Sequence, residues 1–447
     1  MAKKVAAWIP VWAIIVASIL ISTQYGKVPP SQPSMIETLG ISYTMQGLLM
    51  TAFSASALVM AMLFGGTLID RLGARKVVSV ALLASVVGNV IALFVTSDAA
   101  LLATRVLEGA GYGVTMTAGP VIIAAWYEPK KRGVASGVWG ANVGLGMLLS
   151  TGLANPILAA TDWTGMWVFS LVSTVLALLL VVICVRMPGG KGGSLATSAD
   201  GFPAADNVGS VPNSANVDNV STMDGASNPS NVKPAQANPQ KHGLLWGYLA
   251  PFAILTALMF FLVGGATDAF NSFTVTYLNV ELDRPYTEAN ITSMLASFGM
   301  LVGSVVIGVI FARAKDKMLV LIVNIALCTV FLFAWFNMDA SVAVTYVVGF
   351  LGGCFLGAAP ALFFAIPPFV ARSPHTVGAA VALVVLGQNL GTLAIPAIVG
   401  NVLDTSGYSM AAVVMGCLSC AALIVAIAFK RKMNAKLADP EPVGTIE

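Results

Sequence analysis

Three ionisable side chains stand inside long apolar stretches of this 447-residue chain: Arg105 and Glu108, three positions apart, and Asp268, which follows Gly264-Gly265-Ala266-Thr267. A charge at mid-bilayer depth costs roughly 2.5–3.5 kcal/mol on insertion scales, so a stretch that keeps one keeps it for a use. Residues three apart share a helix face, which brings the Arg105 guanidinium and the Glu108 carboxylate within reach of one another. Such a pair can bind an anion through its Arg, hold a proton on its Glu, or neutralise itself. Asp268 has no cation close by in sequence. A carboxylate in a low-dielectric cavity can take up and release a proton near neutral pH, which makes Asp268 the first candidate for proton coupling and Glu108 the second.

Around these charges lies a polar set at comparable depth, Gln24, Tyr25, Asn142, Asn271, Gln388 and Asn389. Amides and a phenol offer both donors and acceptors and can ring a small polar solute, so with Arg105 they form the candidate substrate site. Each charge also has a plainer reading. Arg105 lies about one turn into its apolar run and could snorkel outward while pairing with Glu108. Asp268 could sit at an outer mouth in water, and Lys27, just past the first run, reads as an interfacial lysine, the alternative being that it draws anions to the outer mouth.

The elements that must position these residues are membrane helices. Hydrophobic residues make up 57% of the chain and charged ones 10%, and the mean hydropathy is +0.86, far outside soluble-domain norms. Twelve runs are long enough to cross a bilayer as helices: 5–24, 46–69, 77–95, 101–126, 133–159, 165–185, 244–270, 290–312, 318–336, 342–370, 377–403 and 409–429. The fold class expected is an all-α membrane protein of twelve transmembrane helices. Threading the runs alternately puts nearly all of the 23 Lys and Arg on one side, with Lys27, Arg105 and Arg284 the exceptions. By the positive-inside rule both termini are cytoplasmic, in a multi-pass protein of the cytoplasmic (inner) membrane. The first run is too long for a secretory leader, and no small-x-small cleavage site follows it. All five cysteines fall within apolar runs and read as small core residues.

Between Pro188 and His242 the hydrophobic pattern stops and Asn, Ser, Pro, Gly and Ala take over, as in a disordered cytoplasmic linker. The expected organisation is a six-helix bundle over 1–187, the linker over 188–242, a second six-helix bundle over 243–430 and a cytoplasmic tail over 431–447. A weak internal repeat supports two related halves. Gly140-Ala141-Asn142-Val143-Gly144 answers to Gly387-Gln388-Asn389-Leu390-Gly391, Pro120 to Pro360, and the turn at Gly65 to a decayed version at Gly308, with offsets of 247, 240 and 243. Pseudo-symmetric repeats of this kind place a solute site between the halves near the midplane. The same offset sets Asp268 opposite Gln24. Glycines of the fourth, fifth, tenth and eleventh runs, Gly109, Gly111, Gly113, Gly140, Gly144, Gly349, Gly352, Gly353, Gly387 and Gly391 among them, would let helix backbones approach closely.

Between the second and third runs the chain reads Gly65-Gly66-Thr67-Leu68-Ile69-Asp70-Arg71-Leu72-Gly73-Ala74-Arg75-Lys76. Its pattern Gly-x-Leu-x-Asp-Arg-x-Gly-x-Arg-Lys resembles the signature loop between helices 2 and 3 of the major facilitator superfamily of secondary transporters, with Ala74 where that family often has Arg. The resemblance implies a conformational latch made by Gly66, Asp70, Arg71, Gly73 and Arg75, with Asp70 as the latching carboxylate; the alternative is a solvated carboxylate beside its own arginines. Arg105-Val106-Leu107-Glu108-Gly109-Ala110-Gly111 resembles the family's helix 4 motif, Arg-x-x-Gln-Gly-x-Gly, with Glu in place of Gln. In relatives that Arg is linked to proton coupling or to substrate anions. Gln24-Tyr25 and the Gly-Gln-Asn-Leu-Gly stretch are similar to the branch that carries oxalate, formate and related anions, although the cationic residue of that branch's helix 11 is missing here. The Gly-Pro motif on helix 5 of drug-extruding antiporters is also missing from 140–146.

The two histidines, His242 and His375, lie outside the apolar runs, so no intramembrane metal or nucleophile cluster points to an enzyme. No Gly-x-x-x-x-Gly-Lys-Ser/Thr loop points to an ATP-driven pump. Nothing in the net charge of +3 suggests a nucleic-acid partner, and no cofactor is implied. The expectation is a monomeric transporter moving a small polar or anionic organic solute by alternating access, coupled to protons or to a counter-substrate. A multidrug or cationic exporter of the same fold is the alternative.

Overall fold

The computed structural model describes residues 2–64, 69, 72–95, 97–127, 132–185, 251–367 and 377–438. The expected linker at 188–242 and the latch residues Gly66, Asp70 and Arg71 lie outside them. Every regular element among the described residues is helical. The first half contains α1 (Ala2–Gly26), α2 (Val28–Leu39), α3 (Tyr43–Phe64), α4 (Ala74–Ala92), α5 (Asp98–Trp126), α6 (Arg132–Gly140), α7 (Asn142–Ala160) and α8 (Trp163–Cys184). The second contains α9 (Pro251–Thr276), prolonged by a π turn over Tyr277–Glu281, then α10 (Tyr286–Arg313), α11 (Lys317–Trp335), α12 (Val342–Ala365) and α13 (Val377–Ala438).

Among the described residues, ten helical stretches are long and apolar enough to cross a membrane. The last, Ala380–Arg431, has 52 residues, more than twice the length a bilayer needs. Gly407, at φ +75°, folds it into two legs. Only glycine takes that left-handed geometry without a Cβ penalty. The 29-residue α5, which carries Arg105 and Glu108, is not among the ten, yet packs between α3 and α4. With it, the described residues supply the twelve membrane-length legs.

The first leg is longer than sequence periodicity suggests. The apolar run of the sequence reading ends at Gln24, whereas the helical stretch continues from Trp8 to Leu39. Pro29 and Pro30 have no N–H to donate, so the helix breaks at Lys27 and restarts as α2, with Pro in its first turn. Residues 25–33 are nonetheless buried, and Lys27 is carried into the protein rather than to its rim. The fifth run is likewise split, by a turn at Ala141 between α6 and α7.

Within the first half α1 packs on α5, α7 and α8; within the second α9 packs on α13 and α10 on α12. The halves meet through α3 with α13, α7 with α10, and α2 with α9. Two cross-half hydrogen bonds join residues separated by the repeat offset itself: Tyr25 Oη to Asp268 Oδ1 at 2.7 Å, 243 positions apart, and Thr276 Oγ1 to Gln32 Oε1 at 2.8 Å, 244 apart. Equivalent positions can touch each other only beside the axis that relates them, so both pairs mark the pseudo-two-fold.

All cross-half hydrogen bonds among the described residues lie between mid-bundle and the end distal to the termini. Thr51 Oγ1 donates to the Leu393 carbonyl, Tyr286 Oη to the Pro30 carbonyl, and Asn290 Nδ2 to the Thr151 carbonyl. Close approach there needs glycine at two positions. A Cβ on Gly47 would lie 2.4 Å from the Pro396 carbonyl oxygen, and one on Gly400 would lie 2.4 Å from that of Tyr43. At the tip, Asp404 of α13 accepts from the N–H groups of Tyr43 and Thr44 at 2.9 and 2.7 Å, so one half caps the first turn of a helix in the other. Removing a cap of this kind costs about 0.5–2 kcal/mol. Asp404→Ala should therefore broaden the distance distribution between spin labels at exposed Thr38 and Thr405. An unchanged distribution would show the cap to be dispensable for closure.

Candidate functional site

The break between α1 and α2 sets Lys27 facing α4 and α5. Its ammonium donates to Gln24 Oε1 at 2.8 Å, Asn89 Oδ1 at 2.8 Å and Glu108 Oε1 at 2.9 Å. The indole of Trp167 lies 4.3 Å from Nζ. Lys27 and Glu108 are both fully shielded from solvent. Gln24 is committed at both ends, since its Nε2 donates to Thr174 Oγ1 at 2.7 Å while its Oε1 receives Lys27.

On the same face of α5, Arg105 pairs through Nη1 with Glu108 Oε2, as the spacing of three requires. Nη1 also reaches the Gln24 carbonyl at 3.1 Å, and Nε reaches that of Leu49 at 3.3 Å. The guanidinium carbon sits 4.4 Å from the centre of the Phe53 ring, and that ring packs on Tyr25 and Tyr112 at 6.1 and 5.2 Å between centroids. Nη2 is buried and has no hydrogen-bond partner among the described residues. Two cations thus share one carboxylate, leaving a surplus positive charge and a free donor at Arg105. In an apolar interior a surplus charge with a spare donor has the chemistry to accept an anion. The snorkelling reading of Arg105 and the interfacial reading of Lys27 are both corrected: each side chain is fully buried.

Across the interface, Asp268 on α9 accepts from Tyr25 of the first half and from Thr392 Oγ1 of α13. It is half-buried and engaged on both oxygens, rather than exposed at a mouth in water. Two neutral hydroxyls hold this carboxylate, and one comes from the opposite half. Protonation would turn one of its oxygens from an acceptor into a donor.

The remaining candidates share no hydrogen bond with the charge cluster among the described residues, though Asn271 lies three residues after Asp268 and Gln388 one turn before Thr392. Asn142 is buried with its amide against Met116 Sδ at 3.4 Å, away from the charge cluster. Asn389 donates to the Val385 carbonyl of its own helix at 2.8 Å. Asn271 is buried and Gln388 half-buried. Of the described latch residues, Gly73 takes φ +86° just before α4 and Arg75 donates to the Val182 carbonyl. Asn89, Thr174, Phe53 and Thr392 were missed by sequence reasoning, and Lys27 was noticed but placed at the rim. Lys27 alone left a trace, one helical turn after Gln24.

Towards the terminal end, a cavity of about 280 Å3 lies between α6–α7 of one half and α10 and α12 of the other, with Gly140, Gly144, Ser297, Ser304 and Pro360 in its wall. Close packing fails for two of the glycines expected to show it. A Cβ on Gly140 would meet nothing within 4 Å, and one on Gly144 would meet only Leu301 at 3.9 Å. Their repeat partners Gly387 and Gly391 press on the carbonyls of Ala257 and Phe261. One end of the interface is zipped and the other holds a space.

Two helical bundles joined at one end and parted at the other, with a buried charge cluster in the first half and a Tyr25–Asp268 tie across the interface, define a multi-pass secondary transporter of small molecules. The chain belongs to the Major Facilitator Superfamily, whose family profile matches residues 14–374. Solved structures with the same fold include a bacterial homologue of the human lysosomal transporter Spinster in an inward-facing, unoccupied conformation (TM-score 0.69, 16% identity, 95% of this chain and 96% of that one). A variant of the nucleoside transporter NupG is similar too (TM-score 0.68, 14% identity, 94% and 99%). Among relatives by sequence, quinolone resistance protein NorA of Staphylococcus aureus (strain MRSA252) is 25% identical over 169 residues, 38% of this chain and 43% of its own length. Riboflavin transporter RibZ of Clostridioides difficile (strain 630) is 22% identical over 182 residues, 40% of each chain. The chain thus spans less than half the length of these curated relatives.

Proposed function

We propose that this protein carries a small organic anion across the cytoplasmic membrane by alternating access, with Asp268 as the proton-coupling carboxylate and with the termini and the 188–242 segment on the cytoplasmic side. On this reading the distal end is the outer one, and the conformation is closed outside and open inside. The observation that carries the reading is the fully buried Arg105, whose surplus charge and unpartnered Nη2 suit a carboxylate. Tyr25, Phe53 and Tyr112 supply an apolar wall beside it. Glu108, the second coupling candidate, is held between two cations and serves as their counter-charge, which leaves proton exchange to Asp268.

Export of lipophilic cations is the second reading. It draws on the aromatic wall, which would stack on flat cations, and only on the drug-resistance name of the partial relative NorA. The surplus positive charge opposes it. Proteoliposomes separate the two: an inward proton gradient should drive saturable accumulation of a radiolabelled monocarboxylate such as lactate or benzoate. Proton-driven efflux of ethidium, with no carboxylate flux, would replace the anion reading by the exporter.

A further inference from the structure

Lys27 is the cation of the cluster with no donor to spare. Its ammonium carries three N–H donors, and three acceptors stand at 2.8, 2.8 and 2.9 Å. A neutral amine has only two N–H groups, so the full set requires the charged form. Trp167 covers it, and none of its surface is exposed. Arg105 is as deeply buried, but it keeps Nη2 free while Lys27 has every donor engaged; Lys27 therefore acts through what it holds, and it holds Glu108.

Without Lys27, Glu108 would neutralise Arg105 alone, and the pair would present no charge to a solute. With Lys27 in place, one carboxylate oxygen serves each cation, and the group sums to one positive charge, expressed at Arg105 where Nη2 has no partner. We infer that Lys27 is a specificity-determining positioning residue: by occupying Glu108 it leaves a single surplus charge on Arg105, so the site selects a monoanion over neutral analogues and over dianions. This rests on the reading of Arg105 as the anion receptor. One carboxylate on Arg105 brings the cluster to neutrality. A second negative charge would be left without a partner in a low-dielectric site.

The test is a charge series on the full-length protein in detergent. Binding is read by thermal shift and calorimetry with acetate, lactate and benzoate, with malonate and succinate, and with acetamide and benzamide. Wild type should bind at least one monocarboxylate, and its matched dicarboxylate and amide about ten-fold or more weakly. Lys27→Met should weaken the monocarboxylate by about ten-fold or more, because Glu108 then cancels Arg105. Adding Glu108→Gln to Lys27→Met restores one surplus charge and should return affinity to within about three-fold of wild type, a rescue that a purely structural lysine would not allow. Glu108→Gln alone raises the surplus to two and should shift preference towards malonate by about ten-fold. That variant keeps every acceptor of Lys27 and decides the matter if Lys27→Met does not fold. A folded Lys27→Met of wild-type affinity, a double variant as weak as the single, or a Glu108→Gln with unchanged preference would overturn the role of Lys27 and leave the anion reading standing. A wild type that binds no carboxylate and instead transports ethidium would remove both.

Discussion

Asp268→Asn should abolish proton-driven accumulation in proteoliposomes while leaving solute exchange partly intact. The substitution keeps the shape and an acceptor for Tyr25 or Thr392, the two hydroxyls that hold the carboxylate, and removes the group that can gain and lose a proton. Hydrogen bonds to a charged acceptor are worth about 1.5–3 kcal/mol, so losing the charge should change the ratio of closed to open distal ends by roughly 10–100-fold. Because Tyr25 belongs to the other half, the same variant should also lose the pH dependence of that ratio, measured by spin labels across the distal end. Exchange moves solute in both directions without net proton movement, and it needs only the rocking of the two halves. Unchanged proton flux in Asp268→Asn would remove the coupling role from this residue.

Arg105→Gln should raise the half-saturation concentration for a transported monocarboxylate by about thirty-fold or more, since truncating one member of a buried, hydrogen-bonded charge group costs about 2–5 kcal/mol. Arg105→Lys should not rescue it. The guanidinium spreads its donors over the Leu49 and Gln24 carbonyls and Glu108 while Nη2 stays free, and a point ammonium cannot hold those positions and keep a donor spare. Both variants should be less stable than wild type, because buried hydrogen bonds of the guanidinium to Glu108 and to the two carbonyls are lost. Stability alone therefore does not test the role, and half-saturation against turnover does. Wild-type half-saturation in a folded Arg105→Gln would move the anion receptor elsewhere.

Much of this architecture was legible in composition and period. Apolar runs of membrane length, the Gly65 loop and the offset near 244 led to a two-bundle transporter. The pairing of Arg105 with Glu108 followed from helical spacing alone. The first leg was read too short because its apolar run ends at Gln24, whereas the helix restarts past Lys27 with Pro29 and Pro30 in its first turn. That misreading cost Lys27 its place in the site. Gly140 and Gly144 were read as packing glycines by analogy with other small residues, but whether a glycine faces a neighbour or a space depends on how the halves are tilted.

The sequence by itself determined the class of protein, the membrane-length helices and the few ionisable groups kept inside them, because burial in lipid restricts residue type and run length position by position. Only the tertiary structure decided which of those groups meet. Lys27 finds Asn89 and Glu108 at 62 and 81 residues' remove, Gln24 finds Thr174 at 150, and Tyr25 finds Asp268 at 243. No local period records such partners, since a helix's own pattern says which face is polar and not which helix that face will pack against. The charge presented to a solute is a sum over side chains from separate helices, and it exists only once they are packed together.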